Sequence, residues 1–196
     1  MGKLICLLGK SSTGKDTIYR KLLERTDLKP FVTYTTRPIR FGETDGKEYH
    51  FITQEGFEDL QAKGRVIESR VYNTIHGPWT YFTADDIDIK GKDNYLAAAG
   101  TIPAYAKLRD YYGEENVIPV MIVVDDGDRL ARALKRERKQ EHPKYEEMCR
   151  RFLADSEDFS DEKIAEAGIK NLFQNEDLES CIAEVTEFIG KECGWT

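Results

Sequence analysis

The sequence predicts an α/β fold of three layers, built on a central parallel sheet, with a small β-rich insert and a short arginine-bearing lid. Three observations lead there. Leu4–Leu8 and residues 117–124 are short, unbroken apolar runs, the pattern of strands buried on both faces. Each run leads into a stretch with helical periodicity, the alternation that a parallel sheet needs. Between them, residues 31–90 break into short extended pieces with a different rhythm.

Taken in order, the chain opens on Leu4–Leu8 and runs into a glycine-containing loop, then into an amphipathic stretch carrying Ile18, Tyr19, Leu22 and Leu23. That helix is expected to stop between Thr26 and Lys29, because Pro30 cannot continue it. From Phe31 the extended pieces read FVTYTT, KEYHFIT, RVIESRVY and WTYF, with a Gly77-Pro78 turn before the last. Among them a short helix is expected over 54–63, capped by Thr53 and ended before Gly64. The main sheet resumes at 93–99, and Pro103 opens a helix that reaches Tyr112. After the buried strand at 117–124, Asp125 to Asp128 cap a basic helix over 129–139, and a polar stretch leads on to Cys149, Arg150 and Arg151. A strand over 169–174 precedes a last helix whose apolar positions Leu178, Ile182, Val185 and Ile189 are spaced four, three and four apart. The expected core is 1–30 with 91–196, the insert is 31–90, and the lid is about 136–150.

The loop after the first strand carries chemistry. Gly9, Lys10, Ser11, Ser12, Thr13, Gly14 and Lys15 have the Gly-x-x-x-x-Gly-Lys spacing of a P-loop, between a strand and a helix. Its backbone N–H groups and the helix N-terminus suit a chain of phosphates, and Lys15 adds a full positive charge. The fold is therefore expected to be of the P-loop NTPase type. One position departs. Asp16 follows Lys15 where Ser or Thr normally sends a hydroxyl to magnesium, and Thr17 one step later is no simple replacement.

Composition narrows the partners. In 196 residues there are 29 Lys and Arg against 36 Asp and Glu, a net charge of −7, so no global basic field draws nucleic acid or anionic membrane. Phosphate binding has to be local. Cys6, Cys149, Cys181 and Cys193 fall in no metal or redox spacing and read as reduced thiols of a cytoplasmic protein. No signal peptide is expected, and no apolar run approaches the ~20 residues of a membrane span.

Two further stretches are cationic. The basic helix holds Arg129, Arg132, Lys135, Arg136, Arg138 and Lys139, and with Arg151 it flanks a hinge-like segment able to fold over an anion. A solvated helix face is the alternative. Earlier, Arg37 and Arg40 lie three apart around Pro38, with Tyr49 after a glycine-containing turn. Two guanidinium forks and a phenol suit a phosphate monoester, the alternative being a surface hairpin with ordinary cations.

Here the residues carry a resemblance. Thr35, Thr36, Arg37, Pro38, Ile39 and Arg40, then Gly42, Glu43, Asp45, Gly46, Tyr49 and Phe51, resemble the nucleoside-monophosphate-binding signature of guanylate kinases. The likeness extends through the P-loop, Glu68, the Gly77 turn and Arg151 to Asn175, Glu176, Asp177 and Leu178. It implies transfer of the ATP γ-phosphoryl group to GMP or dGMP, with Mg2+. Gly9 to Thr17 and Asn175 would hold ATP, with Lys15 at the transferring end; Arg136, Arg138 and Arg151 would meet charge on the moving group, and Arg40, catalytic with them, would hold the acceptor phosphate in line. Thr33, Arg37, Arg40, Tyr49, Glu68, His76 and Thr80 would hold the acceptor, with Glu68 facing guanine's N1–H and amino donors. A monomer or weak homodimer is expected.

Departures from the family pattern keep other readings open. Ser12 stands for a usual Gly and Lys10 for a usual Pro; NTIHGPWT replaces the motif around Gly77; and Ala97 and Ala99 replace two strand carboxylates. With those carboxylates gone, Asp16 is expected to take over magnesium positioning. The alternatives are a kinase for another nucleoside monophosphate, and a non-catalytic guanylate-kinase-like binding module.

Overall fold

The computed structural model describes residues 1–40, 42–74, 77–98 and 100–195. The chain begins β1 (Leu4–Leu8), α1 (Lys15–Arg25), β2 (Lys29–Phe31), β3 (Tyr34–Thr35) and β4 (His50–Phe51). It continues α2 (Gln54–Ala62), β5 (Val66–Thr74), β6 (Gly77–Ala84), β7 (Tyr95–Ala98), α3 (Ile102–Tyr112) and β8 (Val117–Val123). The last third is α4 (Asp126–Glu137), α5 (Tyr145–Asp158), α6 (Asp161–Glu166), β9 (Leu172–Gln174) and α7 (Leu178–Cys193).

Five strands make one parallel sheet in the order β2-β7-β1-β8-β9. β1 lies in the middle and alternates its side chains between two cores. Leu4, Cys6 and Leu8 join Tyr105, Leu108 and Met121 under α3, while Ile5 and Leu7 join Ile18 and Leu22 of α1 and Ile182, Val185 and Ile189 of α7. Both faces of the strand are thus dry, which is why its sequence is unbroken apolar and not alternating. The stripe read from the last helix is this contact: Ile182, Val185 and Ile189 are buried against the sheet. Helices on both faces give the three layers of a P-loop NTPase-type fold, as expected.

A second sheet, ordered β4-β3-β6-β5, is carried by the chain between β2 and β7. β5 and β6 pair antiparallel, and a small core of Phe57, Phe82 and Ala84 sits under α2. Thr53 caps α2 by accepting from Gly56 N at 3.2 Å.

Local readings shift in four places. FVTYTT is not one extended piece: Lys29–Phe31 pairs with β7 in the parallel sheet, and Tyr34–Thr35 belongs to the second sheet. Pro30 is tolerated because β2 is an edge strand, and Phe31 is drawn in by the core, 3% exposed. Gly77 and Pro78 lie in β6, paired with Thr74 and Asn73, where a turn was expected. The basic helix starts at Asp126 because Asp125 accepts from the N–H groups of Gly127 and Asp128. The final strand is only Leu172–Gln174, with Ile169 buried beside it. Among the described residues no helix is long and apolar enough to cross a membrane.

Candidate active site

The phosphate loop leaves β1 through backbone that side chains resist. Gly9 has φ 151° and Gly14 φ 89°, and Ser12, at φ 67°, is the one non-glycine in the left-handed region among the described residues. A Cβ on Gly9 would meet the carbonyl of Ile122 on β8 at 2.7 Å, and one on Gly14 would collide with Asn175 Nδ2. Asn175, 3% exposed, donates from that Nδ2 to the Thr13 carbonyl at 2.7 Å, while Thr13 Oγ1 donates to the Lys10 carbonyl at 2.9 Å. The loop is therefore shaped from both ends before any ligand arrives. Gly14 gives α1 no side-chain cap, which leaves the first N–H groups of the helix for an anion.

Residues 9–17 line a cavity of about 380 Å³ together with Gly100, Arg132, Arg136, Arg151 and Asp155. Lys15 Nζ lies 3.0 Å from Asp16 Oδ1, and the Asp16 side chain is 92% exposed. Arg132 donates to the Asn175 carbonyl at 2.8 Å. Arg138, exposed at the C-terminal end of α4, is not among the lining residues.

Arg129 departs furthest from a solvated face. It is 1% exposed, within 2.9 Å of Asp126 and 3.2 Å of Asp155, donates to the Ser11 carbonyl at 3.2 Å, and lies over the Phe152 ring at 4.3 Å. Sequence reasoning counted Arg129 and Arg132 among the cations of the basic helix but named neither of them, nor Asp155, as a site residue. The spacing of Arg129, Arg132 and Arg136, which puts all three toward one side of a helix, was the available signal.

A second cavity, of about 480 Å³, shares Gly100 and Arg151 with the first and is lined by Thr33, Tyr49, Glu68 and Tyr81 among others. Glu68 and Thr83 are directly opposed across β5 and β6, and the Thr83 hydroxyl donates to Glu68 Oε1 at 2.9 Å. Only 8% of the Glu68 side chain is exposed. Arg70 Nε lies 3.3 Å from Glu68 Oε2, and Arg70 Nη1 donates to the Thr101 hydroxyl at 3.2 Å. Arg70, Thr83 and Thr101 were not read from the sequence: Thr83 needs the register of β5 against β6 and Thr101 the placing of the α3 N-cap beside Arg70, while Arg70, two residues from Glu68 on one strand, was signalled by the strand period.

Arg37 is 4% exposed, its fork held by Glu43 at 2.5 and 2.7 Å, with the rings of Tyr49 and Phe51 at 5.3 and 5.1 Å. Those hydrogen bonds, with the Arg40 N–H, hold the Glu43 carboxyl down at about 2 and push the Arg37 guanidinium up. Burial raises the Tyr49 phenol. Arg40 is exposed; neither it nor Arg37 lines the second cavity. Thr80 is 3% exposed and bound through its backbone to Thr36, its N–H donating to Thr36 Oγ1 and its carbonyl accepting from Thr36 N, both at 2.9 Å. His76 and Ala99 lie outside the described residues. Among the described residues no group of three or more His, Cys, Asp or Glu is placed to hold a metal by itself.

The family model described as guanylate kinase matches residues 1–192. The curated guanylate kinase of Chlorobium luteolum is 38% identical over 106 residues, 48% of this chain and 54% of that protein. That of Symbiobacterium thermophilum is 42% identical over 98 residues, 48% and 46% of the two chains. That of Nostoc sp. is 48% identical over 69 residues, 35% of each. The chain spans about half the length of the first two and about a third of the last. A crystal structure of guanylate kinase from Anaplasma phagocytophilum matches with a TM-score of 0.67 at 20% identity, covering 97% of this chain and 86% of that one, a likeness of fold.

Proposed function

The chain belongs to the guanylate kinase family, and from that premise we propose that it transfers the γ-phosphoryl group of ATP to GMP or dGMP, giving ADP and GDP or dGDP. One observation carries the reading. The phosphate-loop cavity and the Glu68 cavity meet at Gly100 and Arg151, so a donor phosphate chain and an acceptor base have adjoining seats with one arginine at the junction.

Phosphoryl transfer asks a protein for positioning and charge neutralisation, with little acid–base work. In this reading Lys15 and the loop N–H groups hold the ATP phosphates, with Arg132, Arg136 and Arg151 around the transferring group. Arg37, fixed by Glu43, supplies charge behind Tyr49, and the exposed Arg40 closes on the acceptor phosphate. Glu68 accepts from the base; adenine would set a lone pair against it. A magnesium ion bound mainly by phosphates and water needs one or two protein carboxylates, and the exposed Asp16 on the cavity wall fits that part. When bound, the metal would neutralise phosphate charge. The partners in this reading are ATP and GMP in the cytoplasm, with no nucleic acid or membrane.

The test is ADP formation from ATP and Mg2+ with GMP, dGMP, AMP, CMP and UMP offered separately. Turnover restricted to GMP and dGMP is expected. Turnover with none, by protein that binds ATP, overturns the reading in favour of a binding module.

A further inference from the structure

Glu68 shares its cavity with a cation. Arg70 stands two residues along the same strand and lines the same space. Its Nε is 3.3 Å from Glu68 Oε2, yet that nitrogen is buried and makes no hydrogen bond. Its Nη1 is turned to the Thr101 hydroxyl. Opposite it, Gly100 presents no side chain; a Cβ there would come to 3.8 Å from Nη1. A half-buried guanidinium whose Nε is paired by charge with Glu68 yet makes no hydrogen bond is a costly arrangement for packing alone.

The pair changes what the cavity can read. A lone carboxylate offers two acceptors and complements two donors side by side. Here Oε1 already holds the Thr83 hydroxyl and Oε2 faces Arg70, so the cavity presents an acceptor beside a donor. Its complement is a ring N–H next to a carbonyl. Resting on the reading of this cavity as the base site, we infer that Arg70 is a specificity-determining residue: it donates to the base carbonyl O6 while Glu68 accepts from N1–H. Recognition then runs on the lactam unit that guanine shares with hypoxanthine, and the exocyclic amino group of guanine is dispensable. Adenine reverses the pattern at both atoms, setting a lone pair against Glu68 and an amino group against Arg70, so it is rejected twice.

The experiment compares kcat/KM for GMP, IMP, AMP and 6-thio-GMP in the unmodified protein and in Arg70→Met, with ATP binding followed to show that the variant is folded. IMP is expected within about tenfold of GMP, and AMP about 10⁴-fold below it. Sulfur is a weak acceptor, so 6-thio-GMP is expected about 10–100-fold below GMP, as for loss of a hydrogen bond to a charged group. That sulfur penalty should collapse in Arg70→Met. A merely structural arginine would lower GMP and 6-thio-GMP together and leave the penalty intact, which overturns the assignment, as does IMP falling a hundredfold or more below GMP. Failure of the kinase reading looks different: no monophosphate is turned over by the unmodified protein, and the role of Arg70 falls with it.

Discussion

Asp155 Oδ2 accepts the backbone N–H of Ser11 at 2.8 Å, so a carboxylate of α5 is fastened directly to the phosphate loop. The buried Arg129 closes the arrangement from α4, reaching the same carboxylate and the Ser11 carbonyl. Arg151 lies one helical turn before Asp155 on α5, and both line the phosphate cavity. The loop and the arginine at the junction of the two cavities are therefore joined through one short helix segment.

Removing Asp155 would leave Arg129 buried against Asp126, which is itself half exposed. Breaking a buried pair from one side typically costs about 3–5 kcal/mol, and a loss at the lower end of that range is expected for Asp155→Ala in urea denaturation. Because the loop loses its anchor, KM for ATP should rise while KM for GMP stays close to that of the unmodified protein. Equal increases in both would mean that Asp155 supports the fold in general and not the loop.

Glu43 supplies a pH dependence with a definite sign. Its carboxyl is held at about 2, below the ordinary 4.5, chiefly by hydrogen bonds from Arg37. A depressed carboxyl contributes stability that is complete above its unfolded value and is lost as pH falls through its folded value. The stability gap between the unmodified protein and Glu43→Gln should thus be full at neutral pH and shrink between pH 4.5 and about 2. Urea unfolding across that range measures it; a gap that does not change with pH would show that charge on Glu43 contributes nothing.

Local signals were enough for the central strand of the main sheet and for the loop. Leu4–Leu8 could be read because a strand buried on both faces has an unbroken apolar pattern, and Gly9, Gly14 and Lys15 because their spacing follows from the loop they make. Lys29–Phe31 could not, since a three-residue edge strand containing proline looks like any short extended piece, and only its pairing with β7 defines it. Arg129 was hidden for a similar reason. It sits in a run of charges with Asp126, Asp128 and Arg132, and its burial depends on Phe152 and Asp155 from a helix more than twenty residues away. Thr83 becomes a neighbour of Glu68 only through the register of β5 against β6, with its shift between Val66 and Glu68, whereas Arg70 shares a face with Glu68 by the alternation of one strand.

Asp16 is the place to test metal positioning. Its carboxylate is exposed on the wall of the phosphate cavity and touches Lys15. In Asp16→Ala, the Mg2+ concentration for half-maximal turnover should rise about tenfold, the loss of one carboxylate ligand or outer-sphere partner. Binding of ATP without metal should hold or tighten, because a negative charge has left the seat. Unchanged Mg2+ dependence would reduce Asp16 to a partner of the helix N-terminus.

Gly14 and Asn175 should be coupled. Gly14→Ala puts a methyl group against Asn175 Nδ2 and forces a side chain at φ 89°, so two separate penalties act on the loop. Asn175→Ala removes the obstacle but also leaves the Thr13 carbonyl without its donor, which costs about 1–3 kcal/mol for a buried acceptor. The clash is shared between the two sites and the backbone strain is not. The double variant should therefore be less damaged than the sum of the single ones by about 1–2 kcal/mol, with strain at Gly14 still visible. Urea denaturation of the four proteins gives the coupling, and ATP binding shows whether the loop keeps its shape. Additive losses would mean that the loop moves aside without Asn175 and that the amide is not what sets its path.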